Sequence, residues 1–243
     1  MTYCVGIMLE DGLVFASDTR TNAGVDRIST FPKMTVWERP DRVLVLLATG
    51  NLATTQGVTS RLEEAMTAGS EHALDRVPTM FRAAEVVGDA LRQSYGRDAQ
   101  ALKDAGIDGG GSFILGGQIK GERQRLFQVY AAGNFIEAVA ETPYFQTGEV
   151  KYGKPMMDRV VKTRIGLIEA AKCALVSFDA TMKSNISVAP PIDLLLYRKD
   201  TLRVGLRMRV EDSDPYFLEL RRRWNEGLRQ VFAQLPDVPW TLA

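Results

Sequence analysis

Apolar and polar positions at the start of the chain follow the pattern of a β-hairpin. Two β-rich runs, 2–9 and 13–18, are separated by Glu10-Asp11-Gly12, and an Asp-Gly pair is a strong signal for a tight hairpin turn. Residues 42–49 form a continuous apolar run that stops at Gly50-Asn51, which is typical of a strand buried on both faces. We therefore predict a hairpin that returns its second strand to the chain start, followed by a deeply buried strand.

The spacing of apolar residues then alternates between helical and strand periods. Helices are predicted over 51–68 with Asn51 as N-cap, after Pro78 in the first turn with Phe81 and Leu91 inward, over 155–162, over 164–182 with Ile168 in the apolar stripe, and over 214–234. Further strands are predicted at 35–37, 112–119, 123–131, 135–140, 143–147, 192–198 and 202–210, and a loop with a helical piece at 96–111. Two antiparallel sheets packed face to face between helix layers satisfy this order and predict an α+β fold. No linker-like break divides the chain, so we predict one domain over 1–243.

The composition excludes several classes of function. Of 243 residues, 45% are hydrophobic and 25% charged, and thirty Lys and Arg balance thirty Asp and Glu. A formal net charge of zero gives no bulk attraction to nucleic acid or to an anionic membrane. No apolar run approaches about 18 residues and no charged-then-apolar leader precedes position 2, so we expect a cytoplasmic protein. One histidine, His72, and two separated cysteines, Cys4 and Cys173, offer little for a metal site or a histidine-dependent triad.

The second residue is the first candidate for chemistry. If Met1 is removed, Thr2 becomes the terminal residue and carries a hydroxyl nucleophile together with a free α-amine. An α-amine titrates near pH ~7.7–8.0, so the amine can serve as the base for the hydroxyl near neutral pH. Taken alone, a threonine at position 2 has no functional meaning, and only the residues that follow change this interpretation.

Three further residues complete a possible site around Thr2. Asp18 ends the returning strand of the hairpin, Lys33 opens the next strand, and Gly50 ends the most buried one. A lysine beside the amine disfavours protonation of the amine and stabilises a developing alkoxide, and Asp18 would neutralise and orient the buried ammonium. A glycine lets its backbone N–H approach a substrate closely, as an oxyanion hole requires.

A series of short motifs then extends across most of the chain. They are Met1-Thr2-Tyr3-Cys4-Val5-Gly6, Phe15-Ala16-Ser17-Asp18-Thr19-Arg20, Phe31-Pro32-Lys33, Ala48-Thr49-Gly50-Asn51-Leu52, Tyr144-Phe145-Gln146-Thr147-Gly148-Glu149, Tyr152-Gly153-Lys154-Pro155 and Lys183-Ser184-Asn185-Ile186-Ser187-Val188. Each motif is unspecific alone, and their ordered occurrence is specific. On these motifs the sequence resembles the proteasome-type N-terminal-nucleophile hydrolases, which include proteasome β-subunits and the bacterial HslV peptidase. Within them it resembles the bacterial Anbu (ancestral β-subunit) branch in particular.

The resemblance implies a four-layer αββα sandwich and a set of site residues. It assigns the nucleophile to Thr2, the acid–lysine partners to Asp18 and Lys33, the oxyanion donor to Gly50, a supporting role to Ser187, and substrate contacts to Thr21, Asn22, Thr35 and Thr147. Two positions depart from the proteasome pattern. Thr147-Gly148-Glu149 stands where proteasome β-subunits have a Ser-Gly-Gly-like patch, and Ser184 stands where they carry an Asp three residues before the retained Ser187.

The implied activity is that of a threonine-type endopeptidase acting on peptides or unfolded proteins, with no metal and no organic cofactor. Such subunits assemble with copies of themselves, and both a closed ring and an open helical assembly are compatible with the sequence. A separate unfolding partner is left open. Two alternatives also stay open: a non-catalytic scaffold subunit of the same fold, which retention of Met1 would favour, and a small-molecule amidase.

Overall fold

The computed structural model describes residues 2–22 and 28–240. Its strands are β1 (Tyr3–Leu9), β2 (Gly12–Asp18), β3 (Arg20–Asn22), β4 (Ile28–Thr30), β5 (Met34–Arg39), β6 (Arg42–Gly50), β7 (Gly111–Ile119), β8 (Arg125–Val129), β9 (Phe135–Glu137), β10 (Tyr144–Gly148), β11 (Ile192–Arg198) and β12 (Val204–Val210). Its helices are α1 (Leu52–Thr67), α2 (Met80–Asp104), α3 (Lys154–Val160), α4 (Leu167–Ser184) and α5 (Pro215–Ala233). None of the helices in the described ranges is long and apolar enough to cross a bilayer.

Two five-stranded antiparallel sheets form the centre of the fold. The first has the strand order β10-β1-β2-β11-β12, and the second has the order β5-β6-β7-β8-β9. The predicted hairpin is present, because β1 pairs with β2 in the register that places Cys4 opposite Ser17. On its other side β1 pairs with β10, so the first strand of the chain lies inside its sheet. A two-stranded ribbon of β3 and β4, which the sequence did not predict, connects the first sheet to the second.

Three apolar clusters separate four layers. The cluster between the two sheets contains Phe15, Leu47 and Ile114, each of which is buried. A second cluster joins the outer face of the first sheet to α3, α4 and α5, and a third joins the outer face of the second sheet to α1 and α2. The central strands of each sheet are therefore covered on both faces, by the other sheet and by helices, whereas most of the edge strand β12 is exposed. The layer order confirms the predicted αββα sandwich.

The transition from β6 to α1 follows the predicted pattern closely. The residues of β6 from Arg42 to Leu47 are buried, as expected of a strand covered on both faces. Asn51 caps α1, since its side-chain oxygen accepts hydrogen bonds from the N–H groups of Ala53 at 3.1 Å and Thr54 at 3.2 Å. The cap places the first turn of α1 directly after the end of the buried strand.

The helix α2 corrects two predictions. In the segment 96–111, predicted as a loop with a helical piece, the helix is the larger part, because α2 continues to Asp104 and only the residues after it leave the helix. Gly96 meets no atom within 4 Å of an added Cβ, so its missing side chain leaves no gap, and the side chain of Gln100 donates to Asp104 one turn later. Pro78 lies before the N-cap Thr79 and is therefore outside the first turn.

Two apolar residues predicted to face inward are exposed. Phe81 is 42% exposed, because the buried face of α2 runs through Ala84 and Val87, and its ring packs against Phe135 at the surface. Ile168 is 71% exposed in the first turn of α4, where no neighbouring layer covers it. Helical spacing identifies a face, but it does not show how far the neighbouring layer extends.

Candidate active site

Thr2 lies at the entrance to β1, half-buried, at one end of the first sheet. Its carbonyl oxygen accepts a hydrogen bond from the N–H of Glu149 at 2.7 Å, which ties residue 2 to the end of β10. Gly148 stands directly beneath that carbonyl with φ of +88°, and a Cβ at this position would collide with the Thr2 carbonyl. The glycine is required by both its backbone conformation and the close approach of the neighbouring strand.

Asp18 and Lys33 form a buried ion pair next to Thr2. The backbone N–H of Tyr3 donates to Asp18 Oδ1 at 2.9 Å, so the carboxylate is attached to the residue that follows Thr2. The ammonium of Lys33 donates to Asp18 Oδ2 at 2.9 Å and also to the carbonyl oxygen of Arg20. Because an unpaired buried ammonium is costly, these partners hold Lys33 in one orientation. The structure thus brings together three of the predicted site residues.

Burial changes the pKa of the Asp18 carboxyl group. Removal from water raises the pKa of Asp18 to about 6, although the nearby ammonium of Lys33 and the N–H of Tyr3 act in the opposite direction. Near neutral pH the carboxylate is therefore still ionised and pairs with Lys33. Cys4 is also buried in this region, and burial raises the pKa of its thiol, so the thiol stays protonated and is a poor nucleophile.

A cleft of about 340 Å³ opens beside Thr2. Lys33 and Gly50 contribute to its walls together with residues of α1. Gly50 has φ of +110°, and a Cβ there would collide with the carbonyl oxygen of Gly110, so no larger residue fits between β6 and α1. The N-terminus of α1 follows two residues later, and the positive end of a helix dipole favours negative charge at this position.

The predicted substrate-contact residues occupy different positions. Thr21 and Thr35 line the cleft, and the hydroxyl of Thr21 is buried without a hydrogen-bond partner in the described part of the chain. Thr147 lies behind the cleft wall, where its hydroxyl is 2.8 Å from that of Thr49, which does line the cleft. The side chain of Asn22 and the residue Met1 are outside the part of the chain that the structure describes. The substrate contact of Asn22 and the removal of Met1 therefore remain predictions.

Ser187 does not line the cleft and is connected to Thr2 through two other side chains. The N–H of Ser187 donates to Asn185 Oδ1 at 2.9 Å, and Asn185 Nδ2 donates to Glu149 Oε2 at 2.9 Å. Glu149 in turn holds the carbonyl of Thr2 through its own N–H. Glu149 is 8% exposed, so a second carboxylate is buried close to the site, in addition to Asp18. Sequence reasoning placed Glu149 in a motif but did not predict this connection.

Sequence reasoning also missed the part of the cleft wall that α1 contributes. Leu52, Thr55, Gln56, Thr59 and Ser60 line the cleft. Their positions follow the spacing i, i+3, i+4, i+7 and i+8, which places them on one helical face. The sequence did contain an indication of this role. Threonine has a low helix propensity, so a helix that begins with several threonines suggests that their side chains are used for something other than helix stability.

The fold and the site together define a class of protein. Two antiparallel sheets between helix layers, with residue 2 at the entrance to the first strand and a buried Lys–Asp pair beside it, are the arrangement of the proteasome-type N-terminal-nucleophile fold. Solved structures identify the branch. The chain belongs to the Anbu (ancestral β-subunit) family.

The similarity to solved Anbu structures extends over the whole chain. An Anbu (Gly-1) mutant from Hyphomicrobium sp. strain MC1 is 48% identical, with a TM-score of 0.92 over 99% of this chain and 100% of that one. Anbu from Yersinia bercovieri is 45% identical, with a TM-score of 0.92 over 99% of this chain and 100% of that one. Anbu from Pseudomonas aeruginosa, solved as a helical assembly, is 43% identical, with a TM-score of 0.93 over 98% of both chains. No protein-family model and no curated protein sequence matches this chain significantly.

Proposed function

We propose that the protein is a threonine-type endopeptidase that works within a self-assembled complex of identical subunits. The observation that carries the proposal is the buried Lys33–Asp18 pair, whose carboxylate also binds the N–H of the residue after Thr2. A buried charged pair is expensive to maintain and adds little stability by itself. Its position beside a threonine in an open cleft supports a chemical role.

The proposed reaction begins with Thr2 after removal of Met1. The hydroxyl attacks the carbonyl carbon of the peptide bond, and its proton passes to the α-amine of the same residue. The ammonium of Lys33 disfavours protonation of that amine beforehand and stabilises the developing alkoxide. The backbone N–H of Gly50 and the N-terminus of α1 stabilise the negative charge on the carbonyl oxygen.

The second half of the proposed reaction returns the amine to its starting state. The ammonium of Thr2 protonates the leaving nitrogen, the C–N bond breaks, and an ester remains on the Thr2 hydroxyl. The amine, again unprotonated, then acts as a general base: it takes a proton from water while the water oxygen attacks the carbonyl carbon of the ester. The ester breaks, Thr2 regains its hydroxyl proton, and the carboxylic acid product leaves. No metal or organic cofactor is needed at any step.

Self-assembly is the second part of the proposal. The relative from Pseudomonas aeruginosa was solved as a helical assembly, and this chain carries apolar residues that water reaches in the single subunit. Phe232 at the end of α5 is 77% exposed and Trp240 is 78% exposed. Apolar surface of this kind is typical of a protein–protein interface. We propose that copies of this chain cover it.

The test of the catalytic proposal is covalent labelling of the assembled protein with an N-terminal-threonine-directed electrophile, such as a peptide epoxyketone. We expect an intact mass that lacks Met1, a single adduct mapped to Thr2, and turnover of peptide substrates. The Thr2→Ala variant should show neither adduct nor turnover, while Thr67→Ala, which changes an exposed threonine of α1, should behave like the unmodified protein.

The alternatives predict other outcomes. A mass that retains Met1, with no adduct, supports the non-catalytic scaffold. An adduct on Thr2 with turnover of small amides but not of peptides supports the amidase. Undiminished turnover in Thr2→Ala would remove Thr2 from the mechanism.

A further inference from the structure

The cleft wall formed by α1 has an unusual chemical character for a helix inside a folded protein. Its members Thr55, Gln56, Thr59 and Ser60, here called the polar face of α1, are all neutral and all able to form hydrogen bonds. The apolar residues of the same helix, Val58 and Leu62, point into the core instead. The polar face borders the cleft, and within it Thr55 is buried whereas Gln56 and Ser60 are exposed.

Two hydroxyl groups of the polar face present only acceptors to the cleft. Thr55 Oγ1 donates its proton to the carbonyl oxygen of Leu52 at 3.1 Å, and Thr59 Oγ1 donates to the carbonyl oxygen of Thr55 at 3.2 Å. A threonine hydroxyl has one proton and two lone pairs, so each of these oxygens can still accept a hydrogen bond. A side chain that enters the cleft can form hydrogen bonds with these two oxygens only if it carries donors such as N–H groups.

The charges of the cleft disfavour both cationic and acidic side chains as occupants. Among the described residues that line it, none is an aspartate or a glutamate, so a cationic side chain finds no partner. Within this described lining, Lys33 alone carries a charged side chain, and its ammonium is already held by Asp18 at 2.9 Å. An acidic side chain would place its lone pairs against those of Thr55 and Thr59 and would have to leave water without a free cation to receive it.

We propose that this cleft selects a neutral carboxamide side chain, glutamine or asparagine, on the residue whose carbonyl carbon Thr2 attacks. The inference rests on the proposed function, because it assumes that the acyl residue of a peptide lies beside Thr2. The cleft of about 340 Å³ runs from Thr2 to the polar face of α1, so the acyl residue is the one that reaches it. Its amide N–H₂ group donates to the oxygens of Thr55 and Thr59, and its carbonyl oxygen accepts from Gln56 or Ser60.

The test measures binding apart from hydrolysis, in the assembled Thr2→Ala protein, which cannot form an ester. The probes are N-acetyl-Ala-Ala-Xaa amides in which Xaa is glutamine, methionine, glutamate or lysine, and ligand-observed NMR gives their dissociation constants. Glutamine and methionine have the same length and differ in hydrogen-bonding capacity. We expect glutamine to bind about tenfold more tightly than methionine, the effect of about one net hydrogen bond, and also more tightly than glutamate and lysine.

Variants then locate the preference. Thr55→Val and Thr59→Val, made separately, should bring the glutamine-to-methionine ratio close to one, while Thr55→Ser should restore it because the hydroxyl is kept. Thr67→Val is the matched control, since Thr67 makes the same kind of bond to the Glu63 carbonyl at 2.9 Å but is exposed outside the cleft. Equal or tighter binding of methionine, a ratio that survives both valine variants, or no binding of any peptide overturns the inference. Failure of the wild-type protein to label at Thr2 would instead count against the proposed function, because labelling plays no part in this measurement.

Discussion

The cleft beside Thr2 and the C-terminal end of the chain differ in which side chains they bury and which they expose. In the cleft, the charged groups are buried and matched within one chain, as with Lys33 and Asp18. At the other end, Phe232 and Trp240 are large, apolar and more than three-quarters exposed. Buried charge must be paired where it lies, whereas exposed apolar surface can be covered by another molecule. A single chain therefore pairs the charges beside Thr2 but leaves apolar side chains at its C-terminal end exposed.

The exposed residues of α5 follow a helical stripe. Leu228, Val231 and Phe232 repeat at intervals of three and four residues, Leu235 continues the spacing just beyond the end of the helix, and each is at least half exposed. Nearer the start of the same helix, Phe217 belongs to the core against α4. The stripe thus begins as ordinary core packing and continues beyond the layer that covers it. The comparison predicts that the two regions respond independently to mutation.

The largest effect is expected from Lys33→Ala. Removal of the ammonium leaves the Thr2 amine without its neighbouring charge and the alkoxide without its counter-ion, so the rate of acylation of Thr2 should fall by about 10²–10⁴-fold. Rates of adduct formation by mass spectrometry measure this change, and light scattering should show an unchanged assembly. Lys154→Ala, which removes an exposed lysine, is the control. Normal acylation in Lys33→Ala would take Lys33 out of the mechanism.

A smaller effect is expected from Phe232→Asp in α5. A buried phenylalanine contributes about 1.5–3 kcal/mol, so its loss from an interface should weaken association by roughly 10–100-fold. The molar mass from light scattering should shift towards that of the single chain at dilutions where the unmodified protein stays assembled. Ile107→Asp changes another half-exposed apolar residue, in the loop that follows α2, and serves as the control.

The two regions can then be compared directly in the same variant. If they are independent, Phe232→Asp should leave the cleft intact, and peptides should bind Thr2→Ala/Phe232→Asp as they bind Thr2→Ala. An unchanged mass in Phe232→Asp would show that the α5 stripe is not the assembly surface. Loss of peptide binding would show that assembly completes the cleft.

The smallest effect concerns the pH dependence of stability at Asp18. The folded pKa of about 6 lies above the ordinary value of ~3.9, so between these pH values the folded protein holds a proton that the unfolded chain has lost. This group's contribution to the free energy of unfolding therefore falls as pH rises from about 4 to about 6 and is constant above. Urea unfolding of wild type and Asp18→Asn should show a difference in stability that favours wild type more at pH 4 than at pH 7. A difference independent of pH would contradict the raised pKa.

Much of the fold was predictable because its signals are local. The Asp11-Gly12 turn identified the first hairpin, the apolar run of β6 identified the buried strand, and Asn51 identified the start of α1. These features depend on residues within a few positions of each other, so the sequence records them directly. The hairpin alone was enough to predict that Asp18 returns to the neighbourhood of Thr2.

The errors occurred where packing between distant elements decided the outcome. Phe81 and Ile168 have apolar side chains at helical spacing, yet neither is covered by another layer. Gly96 has a low intrinsic helix propensity, yet it lies within α2. The buried carboxylate of Glu149 could not be placed either, since its partner Asn185 lies 36 positions away.

Apart from the β3–β4 ribbon, the sequence by itself determined the order of strands and helices and the kinds of side chain available for chemistry at Thr2, Asp18, Lys33 and Gly50, because turns, caps and apolar periods are properties of neighbouring residues. Only the tertiary structure decided that Lys33 reaches the carboxylate of Asp18, which face of α1 borders the cleft, and that the end of α5 is left uncovered. These facts depend on how sheets and helices from distant parts of the chain fill space against one another, and no local pattern encodes that packing.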